Sequence, residues 1–219
     1  MNNLHLPTSG FKAAIFDMDG TMIDNMAYHQ RAWQEFFKRH HITLTEAEFK
    51  HRVSGKKNDQ IFESVFGETL DAARVQAFTE EKEALYRQLY APHITEVAGL
   101  GRIIAELHDR GIWTAIATTA PAKNREFALK ALGLEGEFEV ILGDEHVRRG
   151  KPDPEIYLAT AAALGVEPSA CIAFEDSPPG VQSAQAAGMM VVGILTSHAA
   201  AELVGAASVV RDYDQIELA

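Results

Sequence analysis

A single cysteine, Cys171, stands among 219 residues, which excludes an intrachain disulfide and any cysteine-based zinc site. It lies in an apolar stretch and reads as an inert, buried thiol. Positive charge is scarce: 20 Lys and Arg against 31 Asp and Glu leave a formal charge of −11, which argues against a nucleic-acid partner. An anionic small substrate stays compatible if its pocket is locally basic. Long apolar runs are missing too. The longest, Val191 to Leu195 with Met189 and Met190 before it, contains Gly193 and is far too short to span a bilayer. The opening Met1-Asn2-Asn3-Leu4-His5-Leu6-Pro7 lacks the basic start and apolar core of a signal peptide, so a reduced cytoplasm is the expectation. No internal repeat or low-complexity tract is visible. What remains is ordinary: 47% hydrophobic and 23% charged residues suit a soluble globular chain, long enough for one full domain and a modest second.

Short β-favouring runs recur at residues 13–16, 112–117, 139–142, 171–174, 190–195 and 208–210. Helical patterns separate the later ones, at Leu100 to Arg110, Lys123 to Leu132, Pro154 to Leu164 and Pro179 to Ala187. This alternation predicts an α/β fold, a Rossmann-like, doubly wound parallel sheet covered on both faces. Gly111, Gly133, Gly165 and Gly188 each follow a helical run where a left-handed cap falls. Between the first and second strands the rhythm breaks. There Trp33, Phe36 and Phe37, then Ile61, Phe62, Val65 and Phe66, then Val75, Phe78, Leu85 and Leu89 repeat at helical spacing. A stretch of that length is no plain loop. The expectation is an all-α domain over residues 25–93 inserted into a core of residues 1–24 and 94–219, with hinges near Asp24–Met26 and Pro92–Gly99.

Four separated segments carry chemistry. Asp17 and Asp19 close the first strand in Asp17-Met18-Asp19-Gly20-Thr21. Adjacent carboxylates repel and need a cation or a proton to reconcile them, although Asp and Gly are also plain turn residues. Thr118 and Thr119 end the second strand, Lys151 sits in Gly150-Lys151-Pro152-Asp153-Pro154, and Glu175-Asp176-Ser177 ends the fourth strand. In open α/β sheets ligands bind beyond the carboxyl ends of strands, so these residues are expected to converge.

In order and spacing, with a helical insert after the first, these segments resemble the haloacid dehalogenase superfamily, and more narrowly its phosphatase branch with a helical cap, which includes β-phosphoglucomutase. The resemblance covers nearly the whole chain. It implies Asp17 as nucleophile, accepting a phosphoryl group, and Asp19 as the acid that protonates the leaving oxygen and the base that later activates water. It implies Mg²⁺ held by Asp17, the backbone carbonyl of Asp19 and the pair Glu175 and Asp176, with Glu175 acting directly or through water. Thr118 then donates to a phosphoryl oxygen and Lys151 neutralises it, with Thr119 at most a backbone contact. A carboxylate attacking a phosphate dianion is anion against anion, about 4 kcal/mol at about 4 Å and an effective dielectric of about 20, so the cations are a physical requirement. Asp19 must begin protonated, well above the ordinary value of about 3.9, and closure of the cap is one way to desolvate it.

In the cap, His29 matches a histidine that contacts the acid/base aspartate in β-phosphoglucomutase, Lys56 or Lys57 falls where relatives carry a basic substrate-facing residue, and Lys82 matches a cap lysine, though its flanking glutamates also suit an exposed helix face. Trp33, Phe36 and Phe37 read as cap core. One departure stands out. Where the mutase pattern is Ser-x-Ser-Lys, this chain has Thr118-Thr119-Ala120-Pro121, so two side-chain donors for phosphate are missing. The expected function is therefore a Mg²⁺-dependent phosphohydrolase of a small phosphorylated metabolite, a sugar phosphate above others, with no membrane or obligate protein partner. The alternatives are a β-phosphoglucomutase-type isomerase and an inactive binding scaffold. A dehalogenase needs no metal, and a phosphonate hydrolase lacks the second aspartate, so the acidic set argues against both.

Overall fold

The computed structural model describes residues 3–53 and 58–219, so Lys56 and Lys57 lie outside the described residues. The chain divides into two compact units, Met1–Met26 with Ile94–Ala219, and Ala27–His93. Among the described residues no helix is long and apolar enough to cross a membrane.

The larger unit is built on a six-stranded sheet of β2 (Ala13–Phe16), β3 (Trp113–Ala117), β4 (Val140–Leu142), β5 (Cys171–Glu175), β6 (Met190–Ile194) and β7 (Ser208–Val210). Its order is β4-β3-β2-β5-β6-β7, and every neighbouring pair is parallel. The connections α5 (Leu100–Asp109), α6 (Ala122–Leu132), α7 (Glu155–Leu164) and α8 (Pro178–Ala186) lie between strands in sequence. The alternation of helical and strand periods thus gave the correct architecture. Period-two burial separates the two faces. Ala13, Ile15, Ala115, Ala117, Cys171, Ala173 and Val191 share one cluster with Ile156, Tyr157 and Ala161 of α7 and Val181 and Ala184 of α8. On the other face Phe16 stacks on Phe174 at 4.7 Å between ring centroids, and both rings pack against Tyr213. Small residues in the central strands let the α7 layer approach closely, whereas the aromatic trio fills the opposite side.

Gly133 and Gly165 cap α6 and α7 with φ of 69° and 68°, a left-handed turn that side-chain-bearing residues resist. A pair absent from the sequence reading joins the ends of the chain: β1 (Leu4–Leu6) pairs in parallel with β8 (Ile216–Leu218), Leu4 opposite Ile216.

The smaller unit is all-helical, with most of α1 (Met26–Arg39) followed by α2 (Glu46–Arg52), α3 (Asn58–Phe66) and α4 (Ala72–Tyr90). Trp33, Phe36, Phe37 and Phe62 are buried; Trp33 stacks on Phe37, the other rings meet edge-on or tilted, and Phe78 closes the cluster. These residues form the interior of the unit, as their helical spacing indicates. Thr45 and Glu48 make a reciprocal cap at the start of α2, each satisfying a backbone N–H of the other.

Candidate active site

Strand order determines where the acidic residues meet. From β2 the chain moves to β3 and β4 on one side, then returns to β5, β6 and β7 on the other, so the carboxyl ends of β2 and β5 flank the switch in direction. Phe16 and Phe174 are in register, and the Asp17 N–H donates to the Phe174 carbonyl at 3.0 Å. Asp17 and Glu175 therefore leave adjacent strands side by side, alternating away from the aromatic face toward α7. Carboxylate oxygens of Asp17, Glu175 and Asp176 all lie within 4.8 Å of one another, and all three residues are buried.

One ammonium group sits among them. Lys151 Nζ donates to Asp17 Oδ1 and to Glu175 Oε1, each at 2.6 Å, and to the Ala117 carbonyl at 3.0 Å. Its side chain is 7% exposed, so the cation has left water and depends on these partners. Its pKa is raised far above the ordinary lysine value: burial opposes the charge, but Asp17 and Glu175 outweigh it. Because the Ala117 carbonyl immediately precedes Thr118, Lys151 ties the end of β3 to the acidic pair.

Glu175 is the most fully engaged member. Oε1 also accepts from the Tyr157 hydroxyl at 2.7 Å, while Oε2 accepts from the Asp176 N–H and the Ser177 hydroxyl, both at 3.2 Å. Tyr157, on α7, is fully buried, and its ring lies 5.0 Å from the lysine ammonium. Burial first, then the charges of Glu175 and Asp17, push the Tyr157 hydroxyl well above its ordinary value, so it remains a donor. Tyr157 was not singled out from the sequence. It belongs to an apolar helical pattern, and only the packing of α7 across β2 reveals its target.

The Asp17 carboxyl is raised well above its usual range by burial; Lys151 opposes this, and Glu175 and Asp176 add to it. The Asp176 carboxyl rises to about 6, mainly through burial and then the charge of Glu175, against hydrogen bonding from Ser197. Three carboxylates around one lysine leave an excess of buried negative charge. Oxygen donors with unmet charge suit a hard divalent cation of the Mg²⁺ type, so the residues present fit that ion.

The turn after β2 is tightly held. Met18 accepts backbone N–H groups from Thr21, Met22 and Ile23, and Gly20 adopts φ 80°. Buried Asn25 spans it: its Nδ2 donates to Asp19 Oδ1 at 2.7 Å, and its Oδ1 accepts from the Gly20 N–H at 3.2 Å. Asp19 is half-buried, two residues beyond Asp17. The Tyr213 hydroxyl donates to the Thr21 carbonyl at 3.2 Å, and the Thr21 hydroxyl to Asp176 Oδ1 at 3.3 Å.

Thr118 is buried at the end of β3, where its hydroxyl accepts from the Ala120 N–H at 3.1 Å. A hydroxyl that accepts there keeps its own proton to donate. Thr119 is exposed. Ala120 is buried and its carbonyl takes Arg125 Nη1 at 2.6 Å, so the backbone of this turn is anchored although the side chains at 120 and 121 donate nothing.

Asp17, Lys151, Glu175 and Asp176 are thus brought together, with Asp19 and Thr118 on adjoining turns. His29 and Lys82 belong to the helical unit. There Lys82 Nζ lies 2.9 Å from His29 Nδ1 and 2.9 Å from Glu83 Oε1. Both Lys82 and Glu83 are buried, contrary to the exposed face that the neighbouring glutamates suggested; Trp33 and Tyr86 lie beside the ammonium, and the His29 ring stacks on Tyr86. Charge pairing inside an aromatic pocket explains how a lysine can sit there.

Comparison with known proteins places this geometry in context. The family model for haloacid dehalogenase-like hydrolases matches residues 11–188. A validoxylamine A 7′-phosphate phosphatase of Streptomyces hygroscopicus subsp. limoneus is 31% identical over 94% of this chain and 96% of its own. The β-phosphoglucomutase of Bacillus subtilis (strain 168) is 31% identical over 94% and 92%. Among solved structures, a family IA, variant 3 hydrolase from Entamoeba histolytica HM-1:IMSS superposes with a TM-score of 0.86 at 30% identity, covering 94% of this chain and 96% of that one. With a match of that extent, the chain belongs to the haloacid dehalogenase-like hydrolases.

Proposed function

We propose that the protein is a Mg²⁺-dependent phosphohydrolase that takes the phosphoryl group of a small phosphorylated metabolite, a sugar or polyol phosphate, onto Asp17. The observation that carries this reading is the buried set of Asp17, Glu175 and Asp176 gathered around Lys151 at the switch of the sheet. The named activities of the phosphatase and mutase relatives, both on phosphorylated compounds, support the substrate class.

Asp17, Asp176 and the Asp19 carbonyl would hold the ion, with Glu175 reaching it through water because both its oxygens already accept hydrogen bonds. When bound, the ion supplies positive charge that offsets repulsion between the nucleophile and the phosphate. The remaining steps fall to the chain. A carboxylate oxygen of Asp17 forms a bond to phosphorus as the ester P–O bond breaks, and Asp19 gives its proton to the departing oxygen. Lys151 and Thr118 donate to the equatorial oxygens that gain charge. Asp19 then takes a proton from water, which attacks phosphorus and releases phosphate and a free Asp17. Asn25 keeps the Asp19 carboxyl oriented during both transfers.

A phosphate-release screen across phosphorylated metabolites, with Asp17→Asn as control, tests the reading. The variant is expected to stay folded and lose about four orders of magnitude in turnover. Near-normal turnover would remove Asp17 from the role of nucleophile. The mutase reading draws on the identity to β-phosphoglucomutase. Against it stands the absence of side-chain donors at Ala120 and Pro121, which a bisphosphate held in two orientations requires. Conversion of β-glucose 1-phosphate to glucose 6-phosphate with trace 1,6-bisphosphate, and without stoichiometric inorganic phosphate, would favour the mutase.

A further inference from the structure

The loop after β6 contributes three consecutive polar side chains to the acidic site. Thr196 donates its hydroxyl to the Gly20 carbonyl in the turn that carries Asp19. Ser197 Oγ lies beside the Asp176 carboxylate: both it and Asp176 Oδ2 come within 2.7 Å of the place a Cβ on Gly20 would occupy. His198 Nδ1 lies 3.0 Å from the Asp176 carbonyl, so that nitrogen carries the proton and donates. Segments following β2, β5 and β6 are thereby laced together around one carboxylate. From the opposite side, the Thr21 hydroxyl reaches Asp176 Oδ1 at 3.3 Å.

Packing at Gly20 shows how closely this loop is seated. A Cβ at position 20 would fall 2.1 Å from Asp176 Oδ2 and 2.7 Å from Ser197 Oγ. The carboxylate and the serine hydroxyl therefore rest directly on the glycine backbone, and φ 80° at that residue is one that L side chains resist. Two unrelated requirements, space and backbone conformation, select glycine at the point where the loop meets the site.

We propose that Ser197 is a positioning residue for the divalent cation: its hydroxyl, on a loop anchored by Thr196 and His198, fixes the orientation of the Asp176 carboxylate so that one oxygen is presented to the ion. The inference rests on the magnesium site proposed above and extends it to a segment outside the four motifs. A carboxylate held between two hydroxyls loses little rotational freedom when it binds a cation, whereas one released on one side must be ordered by the ion itself. Serine at this position donates without adding charge, so it orients the ligand without competing for the metal.

The test is direct Mg²⁺ binding by calorimetry on protein stripped with EDTA, comparing wild type, Ser197→Ala, Ser197→Thr and Asp176→Asn. Ser197→Ala is expected to weaken Mg²⁺ binding by about 10-fold or more. Its urea unfolding midpoint in EDTA should fall no further than that of Tyr157→Phe, which also loses one hydroxyl donor to a buried carboxylate, and its substrate KM at saturating Mg²⁺ should be unchanged. Ser197→Thr keeps the hydroxyl and should bind within about threefold of wild type. Unaltered Mg²⁺ affinity in Ser197→Ala, with wild-type binding that Asp176→Asn abolishes, overturns the role of Ser197 alone. A loss of affinity accompanied by a fall in stability in EDTA well beyond that of Tyr157→Phe, and not rescued by threonine, also overturns it, since the serine would then only maintain the fold. Wild-type protein that binds no Mg²⁺ overturns the metal site and this inference with it.

Discussion

Lys151 Nζ stands 2.6 Å from Asp17 Oδ1, a buried ion pair between a loop and a strand end 134 residues apart in sequence. The same ammonium serves Glu175 at equal distance, so one cation balances two carboxylates that would otherwise repel in a desolvated space. Removing the cation should therefore be felt in the fold as well as in the chemistry.

Lys151→Met retains most of the volume and deletes the charge. Breaking a buried pair in this way costs about 3–5 kcal/mol, because the partners stay charged and buried. Urea unfolding in EDTA should show a loss of that size. Added Mg²⁺ should recover part of it, since the cation supplies charge to the same carboxylates, while turnover stays low. Stability equal to wild type in EDTA would mean that the carboxylates do not depend on this lysine.

Tyr157→Phe removes only the hydroxyl that donates to Glu175. A hydrogen bond to a charged buried acceptor contributes about 2 kcal/mol, and its loss should appear in the unfolding free energy. Because Glu175 in turn holds Lys151, kcat should fall by about 10-fold with little change in substrate KM. An unchanged kcat would confine Tyr157 to a structural role.

The local motifs made Asp17, Asp19, Lys151, Glu175 and Asp176 legible, since four are charged residues at or just after a strand and Lys151 sits in the Gly-Lys-Pro-Asp-Pro loop before α7, in a spacing that few other demands produce. Tyr157 was invisible for the opposite reason: on an apolar helix face a tyrosine looks like any large core residue, and its hydroxyl acquires a target only through tertiary packing. Thr196, Ser197 and His198 could have been noticed, because they follow β6 as the known set follows β2, β3 and β5. At Lys82 the neighbours suited a solvated helix face as well as a cap lysine. Glu81 and Glu83 suggest solvent, yet Glu83 is buried with the lysine and compensates it. The strands β1 and β8, three residues each, were too short to register and are brought together from opposite ends of the chain.

The raised Asp176 carboxyl, at about 6, gives metal binding a pH dependence with a definite sign. Its ordinary value is 3.8, so between about pH 4 and pH 6 the folded chain holds a proton that the unfolded chain has released. In EDTA, stability from this group is full below pH 4 and is lost as pH rises through 6, a change of roughly 3 kcal/mol. Mg²⁺ competes with that proton. The stabilisation conferred by Mg²⁺ should thus be small at pH 5 and grow to a plateau above pH 7, as read from thermal unfolding with and without the ion. In Asp176→Asn both dependences should flatten. A Mg²⁺ effect that is constant from pH 5 to 8 in wild type would contradict the placement of Asp176 at the ion.

Trapping the covalent intermediate addresses the nucleophile most directly. Wild-type protein mixed with a turned-over phosphate ester and Mg²⁺, quenched within milliseconds and treated with borohydride, should have its acyl phosphate reduced to the alcohol, and peptide mass spectrometry should find homoserine in place of aspartate at residue 17. Homoserine at another aspartate, or none at all while phosphate is released in a burst, would contradict the assignment of Asp17 as the residue that accepts the phosphoryl group.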